Sequence, residues 1–157
     1  MREDHLWIRA KNIRMQTGPD IVGGFDVGLD DKIPEETKDE LMRFIYWVED
    51  NFHMPVTLWV DLKYNHYLIG RGGKRVGHRF YWADFASYPV FDNWDDIPVI
   101  ELPVRTEHRS TEEILTSFIE AIMLYYIWLS NAITPDSEPN EREVEEVLQA
   151  YMNDCSK

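Results

Sequence analysis

A long apolar segment behind a helix-start signal places the strongest constraint on the fold of this chain. Ser110-Thr111-Glu112-Glu113 is a capping box, in which the serine hydroxyl and the second glutamate carboxylate each satisfy a backbone N–H that the helix itself leaves unpaired. Only three residues between Ile114 and Leu129 lack an apolar or aromatic side chain: Thr116, Ser117 and Glu120. A helix that is apolar on nearly every side has to be covered on most of them. The sequence therefore predicts a central core helix that runs to about Asn131.

This segment does not predict a membrane span, because it is too short and carries Glu120 near its middle. It is the core helix alone, or the core helix together with a surface for a partner or a second copy of the chain. An unpaired carboxylate is costly to bury. We therefore expect Glu120 to lie at a rim or to reach a cationic or hydrogen-bonding group, for which the segment Arg71–Arg79 and Arg105 are the most available sources.

The remaining periodicities predict an α+β domain that occupies residues 1–157. Apolar residues at helical spacing indicate a first helix over about 34–52 and a last, acidic helix over about 138–153. Alternating apolar residues predict a strand over 56–62, and a short alternation predicts another over 6–11. We expect a small antiparallel or mixed sheet that packs against the central helix.

Two further strand segments flank a glycine-rich loop. Tyr67-Leu68-Ile69 and the segment from His78 to Asp84 are predicted to form a hairpin around residues 70–77, whose three cations are Arg71, Lys74 and Arg75. The loop is either an anion site or a solvated turn whose charges protect a sheet edge. The segment 98–104 is strand-like, but Pro98 and Pro103 predict an edge strand or a short pairing.

Composition narrows the classes of partner. The chain has a formal net charge of −13, and an acidic surface repels nucleic acid and anionic lipid. Mimicry of nucleic acid stays open as an alternative, but the acidic residues fall into separate clusters rather than one evident stripe. Cys155 is the only cysteine, so no internal disulfide forms, which is typical of a reducing compartment. With no apolar segment behind the N-terminal charges, we expect a cytoplasmic protein.

No complete catalytic or cofactor motif occurs in the sequence. None of the five histidines lies three or four residues from another, so no helix presents a histidine pair to a metal. His66 and His78 could face each other across the predicted hairpin. Serine hydrolases of the nucleophile-elbow type need a Gly-x-Ser-x-Gly sequence, and none is present. We expect no metal and no cofactor.

The order of elements, together with the segment Ser117–Asn131 and its Tyr125-Tyr126 and Trp128, resembles the small zincin-like metalloprotease domains of bacteria. The resemblance covers roughly residues 34–153. It implies a core helix that carries His-Glu-x-x-His, followed by aromatics of this kind, and a third ligand on the last helix. Aligned on the aromatic run, Glu120, Ala121 and Leu124 stand where the first histidine, the glutamate and the second histidine would be. Glu141 or Glu143 would take the third-ligand position.

That replacement implies a degenerate copy, because zinc needs both imidazoles and hydrolysis needs the glutamate as base. We therefore expect a non-catalytic interaction or regulatory domain that meets another protein through the aromatic surface of Tyr88, Phe91 and Trp94, for which Trp128 is a further candidate. The alternative to this is a hydrolase with an unrecognised carboxylate-based site.

Overall fold

The computed structural model describes residues 24–84, 96–130, 133–134 and 136–156, and within them the chain has an α+β fold. The predicted strand over 6–11 lies outside these residues. The helices are α1 (Glu35–Asn51), α2 (Thr111–Leu129) and α3 (Glu141–Cys155), and a short 3-10 turn covers Arg71–Gly73. The strands are β1 (Phe25–Leu29), β2 (Leu58–Lys63), β3 (Leu68–Ile69), β4 (Arg75–Val76), β5 (Arg79–Asp84) and β6 (Asp96–Pro103).

The main sheet is mixed, as predicted, with the strand order β1-β2-β6-β5. Strands β1, β2 and β6 are parallel, whereas β5 runs antiparallel to β6. The register pairs Val60 with Ile100 and Leu62 with Leu102, so the buried residues of neighbouring strands lie on one face. That face joins apolar side chains of all three helices in a single core.

Helix α2 is the centre of this core, and its predicted capping box is confirmed. The Ser110 hydroxyl accepts a hydrogen bond from the Glu113 N–H (3.1 Å), and the Glu113 carboxylate accepts one from the Ser110 N–H (3.0 Å). Eleven of its residues are buried, from Ile114 to Leu129, which explains the apolar run. Among the described residues, no helix combines the length and the apolar character needed to cross a membrane.

Of the two predictions made from Pro98 and Pro103, the edge strand is wrong, because β6 lies in the middle of the sheet, whereas a short pairing fits the stretch that is paired on both sides. Its pairing with β2 begins at Val99, and its pairing with β5 ends at Glu101, so only Val99–Glu101 is paired on both sides. Pro98 pairs only toward β5 and Pro103 only toward β2. Each proline lies where one side of the strand has no partner among the described strands, so a missing N–H is tolerated there.

The predicted hairpin closes earlier than the sequence indicates. Leu68 and Ile69 pair with Val76 and Arg75, which makes β4 rather than β5 the return strand. Gly72 and Gly73 both have positive φ, which permits the tight turn between β3 and β4. The next strand, β5, leaves this small sheet and joins β6, so the sequence prediction of 78–84 as the return strand is wrong.

Candidate functional site

A partly exposed stripe along α2 contains two of the positions that the zincin resemblance marks. From Ile114 to Leu129 the partly exposed residues lie along one face, because the adjacent pair Thr116 and Ser117 is followed at three- and four-residue steps by Glu120, Leu124 and Ile127. The stripe is polar in its first half and apolar in its second. Glu120 and Leu124 lie one turn apart on it, whereas Ala121 is fully buried in the core.

Glu120 lies at the rim of the core and faces two other elements. Its Oε1 is 3.8 Å from Nδ1 of His78, which precedes β5. Burial raises the pKa of Glu120, the charge of Glu141 raises it further, and Arg109 opposes both. The charge of Glu141 on α3 thus acts on the Glu120 carboxyl on α2, although the two residues come from different helices.

His78 is held in its neutral form. Burial lowers its pKa to about 4, and the neighbouring Arg109 lowers it as well. His78 and Glu120 are therefore both shifted against ionisation. Such a pair of perturbed groups is found at functional sites more often than elsewhere.

The other candidate for the third-ligand position has a different environment. Glu143 lies one turn into α3, where its N–H donates to the Asn140 side chain (3.2 Å). One of its carboxylate oxygens, Oε2, is buried without a hydrogen-bond partner among the described residues. Glu141, the first residue of the helix, is exposed.

A cleft of about 420 Å³ opens between the β3–β4 hairpin and the first half of α2, where its last lining residue, Ser117, lies one turn before Glu120. One wall comes from the hairpin and the residues next to it, including Tyr67, Arg75 and Val76. The other wall is the start of α2 together with Arg109, which precedes it. The described part of the glycine-rich segment therefore lines a cleft as well as forming a turn.

Two hydrogen bonds fix Arg109 in the α2 wall of this cleft. Its Nη1 donates to the Pro103 carbonyl (3.2 Å) and its Nη2 donates to the Ser117 hydroxyl (2.8 Å). Gly77 packs against the Arg109–Ser117 pair: a Cβ at this position would lie 2.6 Å from Ser117 Oγ and 3.1 Å from Arg109 Nη2. The absence of a side chain at Gly77 is what lets the hairpin approach the guanidinium.

Arg75 lies on the opposite wall, where its guanidinium stacks over the Tyr67 ring at 4.4 Å. Neighbouring arginines are neutralised: Arg79 bonds to Glu101, and Arg105 bonds to Glu107. Within the described ranges, by contrast, no carboxylate oxygen forms an ion pair with Arg75 or Arg109. The cleft therefore contains two arginines whose charge is not paired by a direct carboxylate contact within that part of the chain.

The register of β3 with β4, continued two residues beyond the Leu68–Val76 pair, sets His66 opposite His78, but the described contacts of the two side chains are with other groups, and those of His78 are with Glu120. His66 instead lies against His108, with ring centroids 4.5 Å apart, and its Nε2 is 3.6 Å from a Glu107 carboxylate oxygen. Among the residues that the structure describes, no group of three or more His, Cys, Asp and Glu side chains is arranged to hold a metal ion. The proposed interaction residues Tyr88, Phe91 and Trp94 lie outside the described residues, and the further candidate Trp128 is wrong because it is buried in the core.

Sequence reasoning missed the two groups that organise the cleft, Arg109 and Ser117. Arg109 carries a usable signal, since it immediately precedes the capping box and is therefore fixed relative to the helix start. Ser117 stands out only as one of three polar residues in an apolar run. The hydrogen bond between Arg109 and Ser117 lies against Gly77, and no local sequence pattern predicts that contact.

Comparisons of this chain with protein-family models, with curated proteins and with solved structures find no match. The resemblance to zincin-like domains therefore rests on residues and on the order of elements.

Proposed function

We propose that this chain is a non-catalytic interaction or regulatory domain with a zincin-like architecture, in which the metal-binding positions have been replaced. We propose further that it acts in the cytoplasm and that its partner is another protein. The single, exposed Cys155 is in keeping with a reducing compartment. The cleft between the β3–β4 hairpin and α2, which ends one turn before Glu120, offers the binding surface.

The observation that carries the proposal is that the charge of Glu141 on α3 acts on the Glu120 carboxyl on α2. The resemblance implies that the first metal ligand on the core helix faces a carboxylate from the last helix, and these two residues stand at those positions. Glu141 is near enough for its charge to raise the pKa of Glu120. The arrangement of the helices thus suits the ancestral site, while Glu120, Ala121 and Leu124 supply neither a histidine pair nor a positioned base.

Restoring the histidine pair tests this ancestry. We expect the double variant Glu120→His/Leu124→His to bind one zinc ion per chain, because histidines at i and i+4 face the same side of a helix and Glu141 adds a third ligand. Zinc titration calorimetry measures the affinity. The unaltered chain, purified without an affinity tag, is expected to contain no stoichiometric zinc.

A matched histidine pair elsewhere on α2 serves as the control. Glu112→His/Thr116→His has the same spacing on the first turns of the helix, without Glu141 beside it. We expect the restored pair to bind zinc at least tenfold more tightly than the control pair, and Glu141→Gln to remove most of that advantage. Equal zinc affinity for the two pairs would remove the support for zincin-like geometry.

A hydrolase is the second candidate, because His78 and Glu120 are close together and both have shifted pKa values. Such an enzyme would depend on the Glu120 carboxylate. A panel of peptide and ester substrates, assayed with the unaltered chain and with Glu120→Gln, separates the two functions. We expect to find no hydrolytic activity that depends on the Glu120 carboxylate. Hydrolysis by the unaltered chain that is lost in Glu120→Gln would replace our proposal with the enzymatic one.

A further inference from the structure

We infer that the cleft between the β3–β4 hairpin and α2 binds a carboxylate-bearing peptide segment of a protein partner, with Arg75 and Arg109 as the recognising groups. The inference rests on the proposed interaction function and names the chemistry that its partner presents. It uses the basic hairpin that the sequence marked as a possible anion site.

Arg109 is pre-organised to bind an oxyanion. A guanidinium has five N–H donors in a rigid fork. The Pro103 carbonyl and the Ser117 hydroxyl hold two of its nitrogens in place, which leaves other donors available. Because the side chain is already ordered, a ligand loses little entropy in fixing it.

Arg75 supplies the second recognition group from the opposite wall. Stacking on Tyr67 orients its guanidinium while leaving the N–H groups at its edge able to donate. Two arginine forks on facing walls suit the planar oxygens of carboxylates, which accept two parallel hydrogen bonds from one guanidinium. Lys74, exposed in the adjoining turn, adds positive potential at the entrance.

The surroundings favour a singly charged carboxylate over a doubly charged phosphate. Glu113 also lines the cleft and is exposed. The molecule carries a net charge of −13. Both features repel an anion in proportion to its charge. Tyr67 and Val76 add an apolar wall, which suits the side chains next to an acidic residue in a peptide.

The size of the cleft favours a peptide segment over a single ion. Its volume of about 420 Å³ falls within the range of sites that enclose small organic ligands. An acidic residue with an apolar neighbour fits both the charge and the wall of this cleft. Electrostatic attraction to this basic region also explains how an acidic protein can bind an acidic segment at one place on its surface.

The test uses the full chain and a labelled nonapeptide in which one Glu stands between two Leu residues and the remaining positions are Gly and Ser. Its counterparts carry Gln or phosphoserine in place of Glu, and inorganic phosphate serves as the ion alone. Two-dimensional NMR titration reports both the affinity and the residues that respond. We expect the Glu peptide to shift signals of residues 66–77 and 109–117, and to bind at least tenfold more tightly than the Gln and phosphoserine peptides.

Two variants assign the recognition, and one serves as control. Arg75→Gln and Arg109→Gln are each expected to weaken binding of the Glu peptide at least fivefold, whereas Arg43→Gln on α1, outside the cleft, leaves it unchanged. Arg75 is exposed, so its variant stays informative if Arg109→Gln disturbs the fold. No response at millimolar peptide, equal binding by Arg75→Gln, or tighter binding of the phosphoserine peptide would each overturn the inference. Hydrolysis of the bound peptide would instead refute the non-catalytic function while leaving the carboxylate site in place.

Discussion

At the scale of single residues, His78 and Glu120 influence stability in opposite directions as the pH changes. The folded state lowers the pKa of His78 to about 4, so the unfolded chain takes up this proton first as the pH falls. The folded state raises the pKa of Glu120, so there the folded chain takes up the proton first. Acidification is therefore destabilising through His78 and stabilising through Glu120.

This opposition gives a paired prediction. As the pH falls from about 6.5 to 4, the lowered pKa of His78 should reduce the unfolding free energy of the unaltered protein by no more than about 3 kcal/mol. Urea denaturation across this range should show a smaller acid loss for His78→Gln and a larger one for Glu120→Gln. Near neutral pH, Glu120→Gln should change stability by less than about 1 kcal/mol, in the stabilising direction. Equal acid losses in the three proteins would show that neither group is shifted.

The sequence anticipated part of this environment. A lone charge in an apolar run predicts a rim position and a basic partner. The structure places Glu120 at a rim beside His78 of the 71–79 segment, but burial keeps His78 neutral, and the cation whose charge acts on Glu120 is Arg109, which was not among the expected partners. The contribution of Glu141 could not be derived from local pattern, since it depends on how α3 docks. Arg109 was missed for the same reason.

A further residue-scale prediction concerns Glu101, which is buried in the middle of β6. Its carboxylate bonds to Arg79 on β5 and lies 3.1 Å from Nζ of Lys63 on β2, so one side chain ties three strands together. Glu101→Gln keeps the shape but removes the charge that both cations need. We expect a loss of about 1–3 kcal/mol in unfolding free energy. The matched control is Glu112→Gln at an exposed position of α2, for which chemical denaturation should show almost no change.

At the scale of elements, helices were easier to predict than strand pairings. The capping box and the apolar run define α2 through contacts within one segment, so the sequence located this helix well. The pairing of β5 with β6 joins segments whose partners are chosen by the whole sheet. The two prolines of β6 led to a wrong prediction of an edge strand, because a strand proline needs an unpaired neighbour only on the side where its N–H is missing. The stretch Val99–Glu101, which is paired on both sides, contains no proline.

The cap of α2 gives the prediction at this scale. Ser110→Ala removes the hydroxyl that satisfies the Glu113 N–H and should cost about 1 kcal/mol of unfolding free energy. Ser156→Ala is the control, because its hydroxyl bonds to Met152 near the exposed end of α3. Thermal and urea denaturation of both variants should lower the midpoint only for Ser110→Ala. An unchanged midpoint there would mean that this cap adds nothing to the stability of α2.

At the scale of the whole molecule, the α+β class followed from element types, whereas the mixed strand order did not. Helical and alternating periodicities decide which segments are helices and strands. The order β1-β2-β6-β5 depends on which faces share the core that α2 fills. The connection from α1 to β2 also carries backbone groups outside any strand or helix, and these need partners where they are buried.

Two tyrosines of α2 supply such partners. The Tyr125 hydroxyl accepts from the Val56 N–H (3.3 Å) and donates to the Val56 carbonyl, and the Tyr126 hydroxyl donates to the His53 carbonyl (2.7 Å). Both rings are fully buried, and burial raises the pKa of both phenols. The aromatic pair on which the zincin resemblance depends therefore has a structural task that is independent of metal chemistry.

Removing either hydroxyl should loosen the connection between α1 and β2 while leaving the apolar packing in place. We expect Tyr125→Phe to lower the unfolding free energy by about 1–3 kcal/mol, because the buried backbone groups of Val56 lose their partner. Tyr126→Phe is expected to lower it by about 1 kcal/mol, because the His53 carbonyl belongs to an exposed residue and can bond to water instead. Tyr46→Phe, at an exposed position of α1, is the matched control and should change it by less than about 0.5 kcal/mol. Native-state hydrogen exchange at residues 53–58 provides the second measurement, since faster exchange there in the two buried variants alone would trace the loss to this connection. Stability equal to that of the unaltered protein in both would mean that these hydroxyls do not hold the central helix to the sheet, and the Tyr-Tyr pair would then need another explanation.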